Sequence, residues 1–279
     1  MPVGEPTPER FMTFKLITWN INSVRLRLDL VKRLLSEYQP DLLCLQEIKC
    51  QDDQFPASEI SAAGYPHIHV RGQKAYHGVA AVSRHPIVEA GQRAFCGKQD
   101  ARHQHVTLQR DGGPLTVHNF YVPAGGDEPD PAINEKFDHK LKFLTEMTDW
   151  FGEMAKSRRE IVVGDLNIAP LENDVWSHKQ LLKVVSHTPI EVEHLERAMA
   201  AGGWADAMRQ HVPADEKLYT WWSYRARDWS AADKGRRLDH VWLSPAIDKS
   251  CRKIEVLRDA RGWEPKPSYH APVYAELDL

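Results

Sequence analysis

The chain has 279 residues, a formal charge of −3, 42% hydrophobic residues and a mean hydropathy of −0.52. That length suits a sizeable core in an α/β domain, and no window nears the roughly 18 consecutive apolar residues that cross a bilayer, so no membrane partner is expected. The negative charge excludes bulk attraction to nucleic acid, so any such contact must come from a local basic surface.

Residues 1–13 begin MPVGEPTPER, with acid and proline where a signal peptide needs a basic and then an apolar run. They are expected to form a disordered leader, and residues 14–279 a single domain. Cys44, Cys50, Cys96 and Cys251 are scattered without a C-x-x-C pair, as suits thiols in a reducing cytoplasm, the expected location.

From Lys15 the pattern alternates strand and helix. KLITWN (15–20) reads as a strand. Val24, Leu28, Val31, Leu35 and Tyr38 then recur at helical spacing, with Asn22-Ser23 at the capping position and Pro40 as the stop. LLCLQ (42–46) is a second strand and completes a βαβ unit. Further strands are expected at 78–83, 103–108, 115–121, 161–165, 238–243 and 273–277. A long helix should fill about 134–156, with Phe137, Leu141, Leu144, Phe151 and Met154 on one face. A second opens on the capping box Thr188-Pro189-Ile190-Glu191 and closes at Gly202-Gly203. The segment Arg102-His103-Gln104-His105 alternates with Val106 and Leu108, and is expected to be a strand with a wet face.

Several apolar strands end in polar side chains: Asn20, Glu47, Asn119 with Tyr121, and Asp165 with Asn167. In α/β sheets, ligands bind beyond the carboxyl ends of strands, where such residues converge. Any one of them alone reads as the start of a polar loop or a helix cap; together they point to a site. Glu47, Asp165, Asn20 and Asn167 are hard oxygen donors, suited to Mg²⁺ or Mn²⁺ rather than Zn²⁺. The absence of H-E-x-x-H, a P-loop and G-x-S-x-G argues against zinc proteases, nucleotide triphosphatases and serine hydrolases.

The segments TWNINSVR (18–25), LCLQEIK (43–49), GVAAVSR (78–84), NFYVPAGG (119–126), VVGDLNIAP (162–170), TWWSYR (220–225) and GRRLDHVWLS (235–244) resemble the exonuclease III family of the endonuclease/exonuclease/phosphatase superfamily. They follow in the same order from about Lys15 to the C-terminus. The resemblance implies a four-layered α/β sandwich, two packed mixed β-sheets flanked by helices. It implies Glu47 as the principal metal ligand with Asn20 beside it, and Asp165 as the group that activates water or handles the leaving-group proton. Asn167 then orients the nucleophile, with Asp165 and Asn167 also counted in the metal site. Tyr121 stands near the scissile phosphate, and Asp239 holds the catalytic His270. Arg102 and Lys140 match basic residues near the DNA backbone.

Residues 219–242 interleave rings with cations. Trp221, Arg225, Arg227 and Arg236 are taken as DNA contacts, Arg237 joins them as a basic candidate, and Trp242 is assigned to the core. Asp233 stands where many relatives carry Asn. One further position departs from the family. Its last motif runs Ser-Asp-His-x-Pro-Val, and here Tyr269 replaces the aspartate before His270, with a neutral phenol (pKa about 10) in place of a carboxylate.

The implied function is Mg²⁺-dependent cleavage of duplex DNA at abasic sites and 3′ ends, with 3′→5′ exonuclease and 3′-phosphatase action in base excision repair, by a monomer. Two alternatives stay open at this point. One is a DNA-binding superfamily member whose catalysis is weakened or lost through Tyr269. The other is a nuclease or phosphatase with another substrate.

Overall fold

The computed structural model describes residues 13–225 and 228–279. The expected leader, except Thr13, and Arg227 lie outside the described residues. In chain order the elements are β1 (Thr13–Asn20), α1 (Leu28–Tyr38), β2 (Leu42–Gln46), α2 (Ala57–Ala62), β3 (His67–Arg71), β4 (Val79–Ser83) and β5 (Ile87–Gly91). Then come β6 (His103–Arg110), β7 (Gly113–Tyr121), α3 (Glu135–Glu153), β8 (Glu160–Asp165), α4 (His178–Leu181) and α5 (Pro189–Gly202). The chain closes with β9 (Ala205–Asp206), α6 (Ala207–His211), β10 (Trp221–Trp222), α7 (Trp229–Ala232), β11 (Gly235–Arg236), β12 (Asp239–Leu243), β13 (Cys251–Val256) and β14 (Val273–Asp278). Thr13 belongs to β1.

Two six-stranded mixed sheets result, in the orders β13-β14-β1-β2-β4-β3 and β5-β6-β7-β8-β12-β9. Each has a parallel pair at its centre, β1 with β2 and β7 with β8, flanked by antiparallel strands. The inner faces interlock through Leu16, Leu42 and Ala275 on one side and Val117, Ile161 and Val241 on the other. Alternate residues of the same strands face outward. Ile17, Trp19 and Leu45 meet α1, while Phe120, Val162 and Trp242 meet α3 and α5. Central strands buried on both faces explain the unbroken apolar runs in the sequence. This is the four-layered α/β sandwich. No helix among the described residues is long and apolar enough to cross a membrane.

Gly164 shows why β8 reads VVGDLN. Its φ is +132°, and a Cβ there would lie 2.0 Å from the Phe120 carbonyl oxygen, so only glycine lets β8 close on β7. The capping box at Thr188 forms, and Gly203 closes α5 in the left-handed region. The first helix differs from its expectation. It starts at Leu28, because Asn22 and Ser23 take positive φ and Ser23 and Val24 donate their N–H groups to Glu47 and Ile48 carbonyls at 2.7 and 3.1 Å. Tertiary pairing there overrides the local capping signal.

Arg237 is a structural cation, not a surface one. It is fully buried, bonded through Nε and Nη2 to Asp174 at 2.8 and 2.9 Å and through Nη1 to Asp206 at 2.6 Å. Removing one partner of a buried pair leaves an uncompensated charge and typically costs roughly 3–5 kcal/mol. Arg237→Ala should therefore lower stability by about that amount in urea denaturation, and a loss under about 1 kcal/mol would contradict the buried pairing.

Candidate active site

The ends of β1, β2, β7 and β8 meet at one edge of the sandwich, where a cleft of about 780 Å³ opens. The chain turns sharply as it leaves β2 and β8. Glu47 takes φ 49° and Asn167 φ 55°, left-handed conformations that direct both side chains into the cleft. Asn119 goes elsewhere. It is buried between the sheets, donating to the Leu45 and Ala80 carbonyls and accepting from Gln46 Nε2 at 2.7 Å. Its role is to join the sheets, and Tyr121 alone reaches the cleft from β7.

At the floor lies a chain of ionisable groups. His270 Nδ1 is 2.8 Å from Asp239 Oδ2, and His270 Nε2 is 3.7 Å from Asp165 Oδ2. Asn20 Nδ2 donates to Asp165 Oδ2 and to Glu47 Oε1, both at 2.9 Å. Asn20 was expected to offer a ligand oxygen, but that oxygen accepts the Asn22 N–H, so the residue bridges two carboxylates. Asn167 donates to the Val122 carbonyl at 2.8 Å, and its own N–H meets Asp165 Oδ1 at 3.0 Å.

Burial sets the charges. It lifts the Asp165 carboxyl to about 7, with the Asp239 and Glu47 charges adding and His270 opposing. Burial alone would lower His270, but the carboxylates of Asp239 and Asp165 outweigh it and raise the imidazole to about 9. Glu47 goes the other way: burial disfavours its charge, yet the Lys49 ammonium at 2.8 Å and the Asn20 amide hold it below the usual carboxylate range. Tyr121 is pushed well above the ordinary phenol by burial and by Glu47 and Asp165, so it stays a neutral donor.

Residues 17–270 match the Endonuclease/Exonuclease/phosphatase family. The chain belongs to that family. It is 32% identical over 272 residues to exodeoxyribonuclease III of Haemophilus influenzae, covering 94% of this chain and 99% of that protein. Among solved structures it is similar to a 3′ phosphatase from Neisseria bound to a product DNA hairpin, at 30% identity, 95% of this chain, 100% of that one and a TM-score of 0.85. It is also similar to an AP endonuclease from Archaeoglobus fulgidus, at 28% identity, 95% and 100% coverage and a TM-score of 0.86.

Around this family core, the remaining expected residues divide. Trp221, Arg225 and Arg236 line the cleft, as do Tyr269 and Tyr224. Arg236 is half-buried and donates to the Val185 carbonyl and Ser186 Oγ at 3.0 and 2.7 Å. Lys140 does not reach the cleft surface. It is wholly buried in α3, paired with Glu191 of α5 at 2.5 Å and donating to the Asn167 carbonyl at 2.8 Å. It fixes the loop that carries Asn167 instead of touching a DNA backbone. Arg102 is likewise buried, paired with Asp100 at 2.6 Å and lying over the Tyr121 ring at 5.0 Å. It braces Tyr121. Asp233 accepts from Trp222 Nε1 at 3.0 Å and pairs with Arg258 at 2.9 Å, which makes it a support for the aromatic loop.

The cleft residues Lys49 and Trp176 were not singled out from the sequence. Lys49 pairs with Glu47, Trp176 lines the wall, and Lys234 lies 4.6 Å over the Trp176 ring. Lys49 sits inside the LCLQEIK segment, where a cation two residues past the Glu47 carboxylate was the available signal. Tyr269 stacks on Tyr224 with centroids 5.1 Å apart at 30°.

Proposed function

We infer that this protein is a divalent-metal-dependent DNA phosphodiesterase of the exodeoxyribonuclease III type, cutting duplex DNA at abasic sites and trimming 3′ ends. The observation that carries this is the Asp239–His270–Asp165 chain beside Glu47, at the floor of a cleft rimmed by Arg225, Lys234, Arg236 and Trp221. Relatives named for exodeoxyribonuclease III, 3′-phosphatase and AP endonuclease action support it.

The donor set fits a hard cation. Glu47 presents an ionised carboxylate to the cleft and Asp165 shares its Asn20 bridge, so these two would hold Mg²⁺ or Mn²⁺. When bound, the ion supplies counter-charge for the phosphate and for the leaving 3′ oxygen. The chain's own groups account for the rest. His270, protonated and held by Asp239, donates Nε2–H to a non-bridging phosphate oxygen as charge builds there. Asp165 takes the proton of the attacking water, and Asn167 orients that water. Tyr121 donates a neutral O–H near the scissile phosphate. Asn20 keeps Glu47 and Asp165 in register.

The deciding experiment is incubation with duplex DNA bearing one abasic-site analogue. Cleavage should vanish in EDTA and return with Mg²⁺ or Mn²⁺ but not Zn²⁺. Full cleavage in EDTA would refute the metal assignment.

A second expectation concerns DNA binding. Arg225 and Arg236 line the cleft, so replacing either with Gln should weaken binding and reduce the log–log salt slope by about 0.9 for each phosphate left without its cation. Arg237→Gln should leave the slope unchanged where the protein folds. Equal slopes for wild type, Arg225→Gln and Arg236→Gln would assign the rim arginines to structure alone.

A further inference from the structure

On the outer face of the second sheet, away from the cleft, three imidazoles come together. Strand alternation puts His103 and His105 on one face of β6, and the antiparallel register sets His118 of β7 opposite His105. That face was expected to be wet. It is covered instead, because Trp150 of α3 stands edge-on against His103 and His118 at 5.2 and 5.3 Å.

One ring nitrogen from each histidine lies within 4.8 Å of the other two. His103 Nε2 is 3.3 Å from His118 Nδ1. Two nitrogens bound at about 2.0–2.1 Å to a tetrahedral ion are separated by roughly that distance. His118 is buried, yet its Nε2 has no hydrogen-bond partner. It stands 3.9 Å from Oε1 of the buried Glu160, which also meets Arg158 at 3.3 Å. Neighbouring β5 makes room for the cluster, since a Cβ at Gly91 would lie 2.5 Å from His105 Cε1. A cavity of about 200 Å³, lined by Glu89, His105, His118 and Glu160, opens onto the group.

We propose that His103, His105 and His118 form a second divalent-metal site, nitrogen-rich and suited to Zn²⁺, with Glu160 orienting His118 from behind. Imidazole ligands select borderline transition metals, whereas the oxygen donors of the cleft select Mg²⁺ or Mn²⁺, so the two sites sort different ions. A ligating histidine ordinarily donates its other N–H to a carboxylate, and His118 Nε2 facing Glu160 supplies that arrangement. Without metal, the Arg93 N–H donates to His103 Nδ1 at 3.0 Å, which places the His103 proton on Nε2, shared with His118. Binding moves that proton to Nδ1. The Arg93 N–H has to give up its bond to Nδ1 when that happens. The site joins β6 to β7, the strand that carries Tyr121 three residues beyond His118.

The test uses the full chain in saturating Mg²⁺, which fills the oxygen site. Equilibrium dialysis with Zn²⁺ alone as probe should retain one ion per chain, raise Tm, and give tetrahedral visible bands when Co²⁺ replaces Zn²⁺. His105→Ala removes a half-exposed ring, and His118→Gln offers a second variant of similar volume. Each should weaken Zn²⁺ binding by more than about 10-fold, the least that removing even a group behind a ligand costs, with abasic-site cleavage in Mg²⁺ unchanged. Wild type that keeps no Zn²⁺ and shows no Co²⁺ bands overturns the proposal, and so does equal Zn²⁺ affinity in wild type and both variants. Because the readout is metal uptake in Mg²⁺, neither result bears on whether the cleft cuts DNA.

Discussion

Asp165→Asn and His270→Ala are each expected to lower kcat by roughly 10²–10⁴-fold on an abasic-site duplex, with much smaller changes in DNA affinity. Asp165→Asn keeps the shape and hydrogen-bonding reach of the side chain but cannot take a proton from water. His270→Ala removes the cation held between Asp239 and Asp165 and leaves both carboxylates facing an empty space. Single-turnover rates separate chemistry from product release, and near-normal turnover in either variant would misplace the roles. The pH dependence of stability follows from the same pair. His270 has a folded pKa of about 9 against an ordinary 6.5, so its contribution is full below about 6.5 and lost as pH rises through about 9. The Tm advantage of wild type over His270→Gln in EDTA should therefore shrink across that interval. An advantage that grows with pH would mean His270 is neutral in the fold.

Much of the site was legible because its residues end apolar strands. Glu47, Tyr121, Asp165 and Asn167 each follow a run that has to be buried, and a polar group placed just beyond such a run has nowhere to go but the shared edge of the sheets. His270 was legible only through the family motif, since its partner Asp239 lies 31 positions away. The basic residues were hard to place for a related reason. A lysine or arginine in a sequence carries no mark of whether it will be buried. Lys140, Arg102 and Arg237 all go inside, because Glu191, Asp100, Asp174 and Asp206 meet them there, most of them distant in sequence. The edge strands β3, β5 and β13 were missed because they are half-exposed and carry charged or polar residues, which breaks the apolar run that reveals a central strand. The covered histidine face escaped for a subtler reason. Alternation looks the same whether one side of a strand meets water or a helix, and Trp150 arrives from a helix encoded far downstream.

Tyr269→Asp is expected to lower the Mg²⁺ concentration that half-saturates cleavage, by roughly the 10–100-fold that removing a group from the surroundings of a metal costs elsewhere. Tyr269 lines the cleft next to His270, at the position where the motif of the family it resembles has a carboxylate, and its ring is held by stacking on Tyr224 and by Arg261 at 5.7 Å. Arg27 and Arg261 both act electrostatically on this position, so an introduced carboxylate enters a field that favours its charge. The same two guanidinium groups compete with the ion for that carboxylate, which puts the gain toward the lower end of the range. It should shrink at saturating metal, because the added charge acts through occupancy. It should also be larger with Mg²⁺, which demands near-ideal octahedral geometry, than with Mn²⁺. Loss of the Tyr224–Tyr269 stack pulls the other way and would appear as a lower Tm with unchanged metal dependence. Metal titrations of activity on the two proteins, run side by side with thermal melts, separate these effects. Identical half-saturating Mg²⁺ concentrations would show that Tyr269 only packs against Tyr224, and that Glu47 and Asp165 hold the ion without help from this position.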